Sequence, residues 1–285
     1  MTSTHPDPDV GLHAPESALI RPGDVVAVVN QKGGAGKTTT ATTIGAYLAA
    51  EGVPVTLIDA DEQDGSVTEW LPPQWDDVPL EEQYDLQHVL QDEVGLDQAL
   101  WPTTIKGLSI VPSFTGLTQF DTTSEVAGKD SILQFAVDES QRKGTVTIID
   151  CPPSLRQTTV TALVAASAIL IPAKPGGLDF KGMASLNRTL GGVRRRLRRD
   201  QRTAAVVTTM VNTNARLTDM VVSQLREDYP EALHASVGNT TKVGESQFAQ
   251  EPLHVYEPRG TVTRQYKEIT EALFAPILEE VRGGQ

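Results

Sequence analysis

The chain has 285 residues, enough for one large α/β domain or two small ones, and 39% hydrophobic with 21% charged residues is ordinary globular usage. Its formal charge of −13 excludes a surface coated in basic residues, so any binding to nucleic acid or anionic lipid must be local. One cysteine, Cys151, excludes an internal disulfide. With no charged-then-apolar leader and no membrane-length apolar run, we expect a cytoplasmic protein that does not bind membranes.

Residues 1–22 are predicted to be a disordered tail, because their four prolines and short polar side chains cannot bury enough surface to become ordered. From Asp24 onward, short β-branched runs alternate with helical stretches. The apolar runs, in chain order, are DVVAVVN, VPVTLIDA, LSIVPS, TVTIID, AILIPA and TAAVVTTMVN. This alternation indicates a mostly parallel, twisted sheet with helices on both faces. We therefore predict a single α/β domain over residues 23–285.

The first strand runs into a glycine-rich loop and then into a helix that is predicted to begin near Lys37. Strand, glycine loop and helix in this order are typical of a phosphate site, because loop amides and the helix N-terminus point at the anion. Lys37 is predicted to reach the β and γ phosphates, and the Thr38 hydroxyl to hold Mg²⁺. The usual P-loop spacing requires glycine at Gln31, and here a second lysine, Lys32, precedes the glycines. The predicted nucleotide-binding residues of the loop are Gly33, Gly34, Ala35, Gly36, Lys37, Thr38 and Thr39.

Three aspartates are candidates for the metal site and the chemistry. Asp59 and Asp150 end the apolar runs VTLID and TVTIID, which places their carboxylates at strand C-termini, where α/β sheets bind ligands. Mg²⁺ keeps several waters, so Asp150 is predicted to act in the metal site with Asp59 as a second, outer partner. Asp61 lies just past the strand end. An alternative stays open, in which Asp59 or Asp61 only caps a loop or helix.

The segment NQKGGAGKTTTAT resembles the deviant Walker A loop of the ParA/MinD group of P-loop ATPases. LIDADEQ (57–63) is similar to the group's LxDxDxQ segment, with Glu62 where proline is usual, and IIDCPPSL (148–155) is similar to its Walker B region. The resemblance covers residues 24 to 280, with EPLHVYEPRGTVTRQYKEIT resembling the group's last strand and helix. It is strongest to the short ParA-type partition ATPases, which have no N-terminal helix-turn-helix domain.

This resemblance implies an ATPase that uses ATP and Mg²⁺, is slow, and is stimulated by a partner protein. In the family's sandwich homodimer, Lys32 would reach the ATP of the other subunit, and Asp61 would hold the attacking water. The resemblance also implies that Asn212, in VNTN, reads adenine with its side-chain amide. An asparagine that stabilises a turn is the open alternative for Asn212.

Basic residues cluster in the segment 188–202, which contains seven of the 24 lysines and arginines. Four apolar residues at helical spacing mark the buried side of this segment: Leu186, Leu190, Val193 and Leu197. The candidates for contacts to the phosphates of duplex DNA are Arg194, Arg195, Arg198 and Arg199. A solvated helix end is the alternative. The resemblance adds Lys242, which occupies the place of a DNA-binding arginine of partition ATPases.

Together these features predict an ATP-dependent dimerising switch that binds DNA nonspecifically in its ATP state. Its predicted role is partition of a plasmid or chromosome with a ParB-like centromere-binding partner, which implies a nucleoid-associated protein. One alternative is a positioning ATPase for protein cargo, such as a microcompartment or receptor cluster. Another is an ATP-binding regulator without DNA affinity. A MinD-like membrane helix is not expected, because acidic residues dominate the polar face of the C-terminal segment.

Overall fold

The computed structural model describes residues 12, 14–63, 66–114, 116–122, 128–140, 145–175, 179–198, 200–211 and 216–284. Within these residues, an eight-stranded sheet forms the centre of the molecule, and helices cover both of its faces. The strands are β1 (Val25–Val28), β2 (Val55–Asp59), β3 (Trp101–Pro102), β4 (Leu108–Val111), β5 (Val146–Asp150), β6 (Ala168–Ala173), β7 (Arg202–Val211) and β8 (Leu233–Gly238). The predicted fold class is confirmed.

The helices connect and flank these strands. They are α1 (Lys37–Ala50), α2 (Val67–Trp70), α3 (Leu86–Leu90), α4 (Leu117–Thr122), α5 (Ile132–Glu139), α6 (Gln157–Ala165), α7 (Asp179–Leu197), α8 (Arg216–Asp228), α9 (Lys242–Phe248), α10 (Leu253–Tyr256), α11 (Thr261–Leu273) and α12 (Ala275–Gly283). Short 3-10 turns lie at Glu16–Ala18, Leu80–Glu82 and Leu96–Ala99. None of the helices in the described ranges combines the length and the apolar character that crossing a bilayer requires.

The strand order is β3-β4-β2-β5-β1-β6-β7-β8, and every neighbouring pair is parallel except β3 with β4 at one edge. β1 lies between β5 and β6, so the chain leaves β1 toward one side of the sheet and later crosses to the other. A crevice forms at the carboxyl ends of strands where the direction of winding reverses in this way. Asp59 and Asp150 are direct register partners in β2 and β5 at this edge.

Both faces of the sheet are buried, which explains why its strands are continuous apolar runs rather than alternating ones. On one face, Val26 and Val28 join a core with Ile44 of α1 and Tyr266 of α11. On the other face, Ala27 joins a second core with residues of α3, α6, α7 and α8. The C-terminal helix packs into the first of these cores through Ile277 and Leu278. The apolar side of this helix therefore packs in the core, which agrees with the acidic residues on its polar side.

The segment from residue 14 to residue 22 differs from the predicted tail. Ala18 and Ile20 are fully buried, and the Ile20 amide donates a hydrogen bond of 2.8 Å to the Leu273 carbonyl at the end of α11. Arg202 at the start of β7 donates to the Leu19 carbonyl at 2.8 Å and also pairs with Asp24. Composition averages over the whole tail and therefore misses Ala18 and Ile20, two apolar side chains that the core buries. The domain boundary at residue 23 stays a prediction.

The segment 251–270 differs from the last strand and helix that the resemblance implies. Instead of a strand it begins with the short helix α10, with hydrogen bonds from the Tyr256 amide to the Pro252 carbonyl and from the Glu257 amide to the Leu253 carbonyl. Pro252 precedes the first turn, where its missing N–H costs nothing. Within the described residues, the sheet therefore ends with β8.

Candidate active site

The glycine loop between β1 and α1 takes a shape that needs glycine at two positions. Gly34 and Gly36 have φ angles of 67° and 87°, a left-handed backbone that other residues adopt only with strain. A Cβ at Gly36 would also lie 3.3 Å from Cγ2 of Thr209. The Thr209 hydroxyl donates a hydrogen bond of 2.8 Å to the Ala35 carbonyl, so the end of β7 holds the loop from the side. Thr209 could not be identified from the sequence, because nothing local links β7 to the loop.

The start of the loop is fixed between β1 and β6. The Asn30 side-chain amide donates to the Pro172 carbonyl of β6 at 2.6 Å, and its oxygen accepts from the Lys32 amide at 3.1 Å. Asn30 is buried, so these bonds are shielded from water. The backbone of Lys32 therefore has a fixed position.

A cavity of about 310 Å³ opens in front of this loop. Its lining residues are Gly33, Gly34, Gly36, Lys37, Thr38, Thr39, Asp61, Gln63, Ser66, Trp70, Pro153, Met210 and Gln247. The structure thus brings Lys37, Thr38 and Asp61 together at one site. Lys32 is described but is not among the residues that line this cavity. Sequence reasoning did not single out Gln63, Trp70 or Gln247, which come from other segments.

Asp150 has the surroundings expected of a carboxylate that faces a cation. It is 1% exposed, and neither of its carboxyl oxygens makes a hydrogen bond of ordinary geometry with a described residue. Burial, together with the neighbouring Asp59 carboxylate, raises the pKa of Asp150 to about 8, while the nearby Thr38 hydroxyl and Lys37 work against this rise. Buried polar groups without partners are costly, so they mark places where a ligand completes the bonding.

These residues fit Mg²⁺. In the described ranges, no three His, Cys, Asp or Glu side chains form a set of metal ligands. Mg²⁺ does not need such a set, because phosphate oxygens and water supply most of its ligands beside one or two protein groups. The Thr38 hydroxyl and Asp150 would hold it, and the bound ion would neutralise charge on the β and γ phosphates.

Asp59 has different surroundings although it occupies the equivalent position on the next strand. One of its oxygens accepts from the Asp61 amide at 3.1 Å, and the other accepts from the Thr68 amide at 2.8 Å and the Thr68 hydroxyl at 2.5 Å. Burial raises the pKa of Asp59 to about 6, against the effect of these hydrogen bonds. The bonding of Asp59 agrees with the alternative of a carboxylate that holds a loop. Its role as an outer metal partner stays a prediction.

Asp61 lies at the cavity wall and is 8% exposed. Its carboxylate accepts from the Gln63 amide at 3.3 Å. Burial raises the pKa of Asp61, and the positive charge of Lys37 partly offsets this. Next to it, Glu62 accepts hydrogen bonds from the Thr118 amide at 3.1 Å and from the Thr118 hydroxyl at the start of α4. Glu62, which replaces the usual proline, therefore connects the Asp61 loop to α4.

The predicted base contact, Asn212, lies outside the described residues. Two residues earlier, Met210 has a φ angle of 52°, at a register shift between β7 and β8. Such bulges are common beside active sites, where they redirect side chains. Met210 lines both the 310 Å³ cavity and a smaller one that includes Thr39, Asn239 and Thr240. The apolar run TTMV gave no sign of this bulge.

The candidate DNA-binding residues fall into two classes. Arg194 donates to the Gln201 carbonyl and lies 3.7 Å from Asp200, and Lys242 pairs with Glu245 at 2.7 Å. The hydrogen bond from Lys242 to Glu245 raises the pKa of Lys242.

Arg195 and Arg198, in contrast, are exposed and make no ion pair with a described residue. Arg199 lies outside the described residues. Arg194 is exposed as well, so the two classes differ in their bonding: Arg194 and Lys242 already have partners within the chain, and Arg195 and Arg198 pair with no acidic residue in the described ranges.

Cys151, which comes directly after Asp150, is fully buried, and burial raises the pKa of its thiol. A thiol that stays protonated and has no access to solvent is a poor nucleophile. Cys151 is therefore a small buried residue of the second core.

The sequence pattern of a family described as an AAA domain matches residues 23–203. The chain is 30% identical over 255 residues to the chromosome partitioning protein ParA of Caulobacter vibrioides, over 88% of this chain and 94% of that protein.

Two solved structures are similar in fold. One is an ATP complex of McdA from Cyanothece, with a TM-score of 0.75 at 18% identity, covering 91% of this chain and 96% of that one. The other is cobyrinic acid a,c-diamide synthase of Mycobacterium smegmatis with bound ADP and magnesium, with a TM-score of 0.70 at 27% identity, covering 92% of this chain and 96% of that one. The match over residues 23–203 and the near full-length similarity to ParA place the chain in the AAA-domain family of P-loop ATPases, among its ParA-type partition proteins.

Proposed function

We propose that the chain is an ATP-dependent switch that drives partition of a plasmid or chromosome. ATP binding would assemble a homodimer, the dimer would hold duplex DNA nonspecifically, and a ParB-like centromere-binding partner would stimulate slow hydrolysis and release. The observation that carries the nucleotide part is the buried Asp150 carboxylate, which accepts no hydrogen bond of ordinary geometry from the described residues and lies near Thr38 and Lys37, two residues that line the cavity.

Each residue at the cavity has a role that its charge and position suggest. Loop amides and Lys37 would bind the β and γ phosphates, since a helix N-terminus and a lysine both favour anions. Asp61 at the wall would orient the attacking water. Catalysis of phosphoryl transfer is mainly positioning and charge stabilisation, so a rigid loop held by Thr209 and Asn30 suits it.

The dimer part of the proposal rests on Lys32. Its backbone is fixed by Asn30, yet its side chain is not part of the lining of the cavity in its own chain. A lysine held beside a phosphate site without lining it is suited to the nucleotide of a second subunit. The resemblance of NQKGGAGKTTTAT to a deviant Walker A loop implies the same arrangement.

The test compares Lys32→Ala with Lys37→Ala, which removes the same charge at the start of α1. Lys32→Ala is expected to retain ATP binding but to lose the ATP-dependent dimer and to reduce hydrolysis by about 100-fold or more. Lys37→Ala is expected to lose ATP binding as well. Binding is measured with a fluorescent ATP analogue, mass by light scattering, and turnover by phosphate release. Unchanged hydrolysis in Lys32→Ala would remove the dimer mechanism.

A further inference from the structure

A buried hydrogen-bond cluster lies beneath the cavity and links three segments that are far apart in sequence. It consists of Asp59 at the end of β2, Thr68 in α2 and Ser113 after β4. All three are buried, with exposures of 0%, 5% and 5%. Because water is excluded, each of these hydrogen bonds is electrostatically stronger than the same bond at the surface.

Thr68 is the central member of this cluster. Its hydroxyl donates to Asp59 at 2.5 Å and accepts from the Ser113 amide at 3.0 Å, while its own amide donates to the same Asp59 oxygen at 2.8 Å. A hydroxyl can donate one bond and accept others, so both functions of the Thr68 oxygen are used. No apolar side chain of the same size could replace it without leaving the Ser113 amide unpaired.

The other oxygen of Asp59 accepts from the Asp61 amide at 3.1 Å. The backbone that carries Asp61 is therefore attached to the same carboxylate that Thr68 holds. Trp70, two residues after Thr68 in α2, lines the cavity, and its indole donates to the Glu251 carbonyl at 2.8 Å. Two parts of the cavity wall, Asp61 and Trp70, thus depend on the position of Thr68.

We propose that Thr68 is a positioning residue for the hydrolysis of ATP, acting through Asp59 on the loop that carries Asp61. In this arrangement Asp59 aligns the loop, and Asp150 is the carboxylate that faces the metal. The inference rests on the proposed ATPase function. It assigns a role to a side chain that never touches the nucleotide, so its effect falls on turnover rather than on ATP binding.

The variant that tests this is Thr68→Val, which removes the hydroxyl and keeps the shape. We expect kcat for ATP to fall by about tenfold while KM changes by less than about twofold. Thr68→Ser, which restores the hydroxyl, is expected to recover kcat to within about threefold of the wild type. A low kcat in both variants, or a wild-type kcat in Thr68→Val, would overturn the proposal.

Thr43→Val is the matched control. Thr43 is also a buried threonine, but its hydroxyl has no hydrogen-bond partner among the described residues. The same change there is expected to leave kcat unaltered. An equal loss of kcat in Thr43→Val would mean that any buried threonine has this effect, and would contradict a specific role for Thr68.

Hydrogen exchange of the nucleotide-free protein separates this inference from the proposed function. In Thr68→Val, the amides of Asp61 and Ser113 are expected to exchange faster than in the wild type, whatever the protein hydrolyses. Unchanged hydrogen exchange at both amides would show that Thr68 does not hold them, and would overturn the proposal. A wild type no more active than Lys37→Ala would instead reject the ATPase function.

If Thr68→Val does not fold, Thr68→Ala, which removes the same hydroxyl without placing a methyl group against Asp59, takes its place. Failure of both variants to fold while Thr43→Val folds would show that Thr68 is needed for the fold and would overturn a positioning role.

Discussion

At the scale of single residues, Asp59 and Asp150 show how two similar sequence contexts acquire different chemistry. Both end a buried strand, and they are register partners in neighbouring strands. Asp59 accepts three hydrogen bonds, whereas Asp150 accepts none of ordinary geometry from the described residues. The difference arises because the chain after β2 turns back over Asp59 and supplies its donors. A carboxylate without donors is the one that gains most from a cation.

The raised pKa of Asp150 leads to a prediction for the nucleotide-free protein. Because its pKa is about 8 in the folded chain against an ordinary value of 3.8, Asp150 keeps its proton where the unfolded chain has lost it. Its contribution to folding stability is then complete below about pH 4 and is lost as the pH rises through about 8. We expect Asp150→Asn to stabilise the protein relative to the wild type increasingly from pH 5 to pH 8, by up to about 1.4 kcal/mol per pH unit.

Urea denaturation from pH 5 to pH 9 measures this difference, with the wild type and Asp150→Asn in the same buffers. If the stability of the two proteins changed with pH in parallel, the raised pKa of Asp150 would be contradicted. ATP with Mg²⁺ should stabilise the wild type and have a much smaller effect on Asp150→Asn, because the variant has no negative charge to offer the ion.

At the scale of elements, residues 14–22, which we call the N-terminal brace, connect three elements near the amino end of β7. It contacts α11 through the Ile20 amide, β7 through Arg202, and the turn before β8 through the bond from the Ser17 hydroxyl to the Glu231 carbonyl. Burial alone would raise the pKa of Asp24, but hydrogen bonds from Arg202 and Ser167 outweigh it and hold this pKa below its ordinary value. Three elements are thus connected at the end of the sheet remote from the phosphate loop.

Ile20→Ala tests the brace. Ile20 is fully buried, and truncation of such a side chain to alanine is expected to lower the free energy of unfolding by about 3 kcal/mol. Leu80→Ala is the control, because Leu80 is 84% exposed and its truncation should change stability by less than about 0.5 kcal/mol. Urea denaturation gives both values, and equal stability of the two variants would show that residues around Ile20 do not pack on the sheet.

At the scale of the whole molecule, a chain with a formal charge of −13 can hold DNA only where cations are concentrated and unpaired. Whether each candidate DNA-binding residue already has an ion-pair partner is therefore more informative than how many candidates there are. Arg194 and Lys242 already have acidic partners, whereas Arg195 and Arg198, at the end of α7, are exposed and pair with no acidic residue in the described ranges. The exposed pair is the better candidate for phosphate contacts in the proposed ATP-bound dimer.

Charge reversal of Arg195 and Arg198 together is expected to weaken ATP-dependent binding to random duplex DNA. The slope of log affinity against log salt concentration should fall by about 2, since two phosphate contacts are lost. Arg194→Glu should have a smaller effect. The double change Arg259→Glu with Arg264→Glu alters the net charge equally at two other exposed arginines and serves as the control. An equal loss of DNA affinity in this control, or DNA binding that does not depend on ATP, would contradict the proposal.

Much of the candidate phosphate site could be predicted because it is encoded in one short segment. Glycines at fixed spacing, Lys37 and Thr38 lie together in the sequence, and the backbone places them together in space as well. Thr209, Met210 and Trp70 could not be predicted, because they reach the cavity from other strands and helices. The strand that the resemblance implies within 251–270 is absent for a related reason, because a short, mostly apolar run fits a strand or a helical turn equally well.

The sequence by itself determined six of the eight strands, the glycine loop and the acidic strand ends, because each depends on residue types at fixed local spacing; the edge strands β3 and β8 were not among the predicted runs. Tertiary structure alone decided which carboxylate accepts hydrogen bonds and which accepts none of ordinary geometry, which basic residues already have partners, and whether residues 14–22 pack. Each of these depends on the partner that a side chain meets across the sheet, and local sequence contains no information about that partner until the chain has folded.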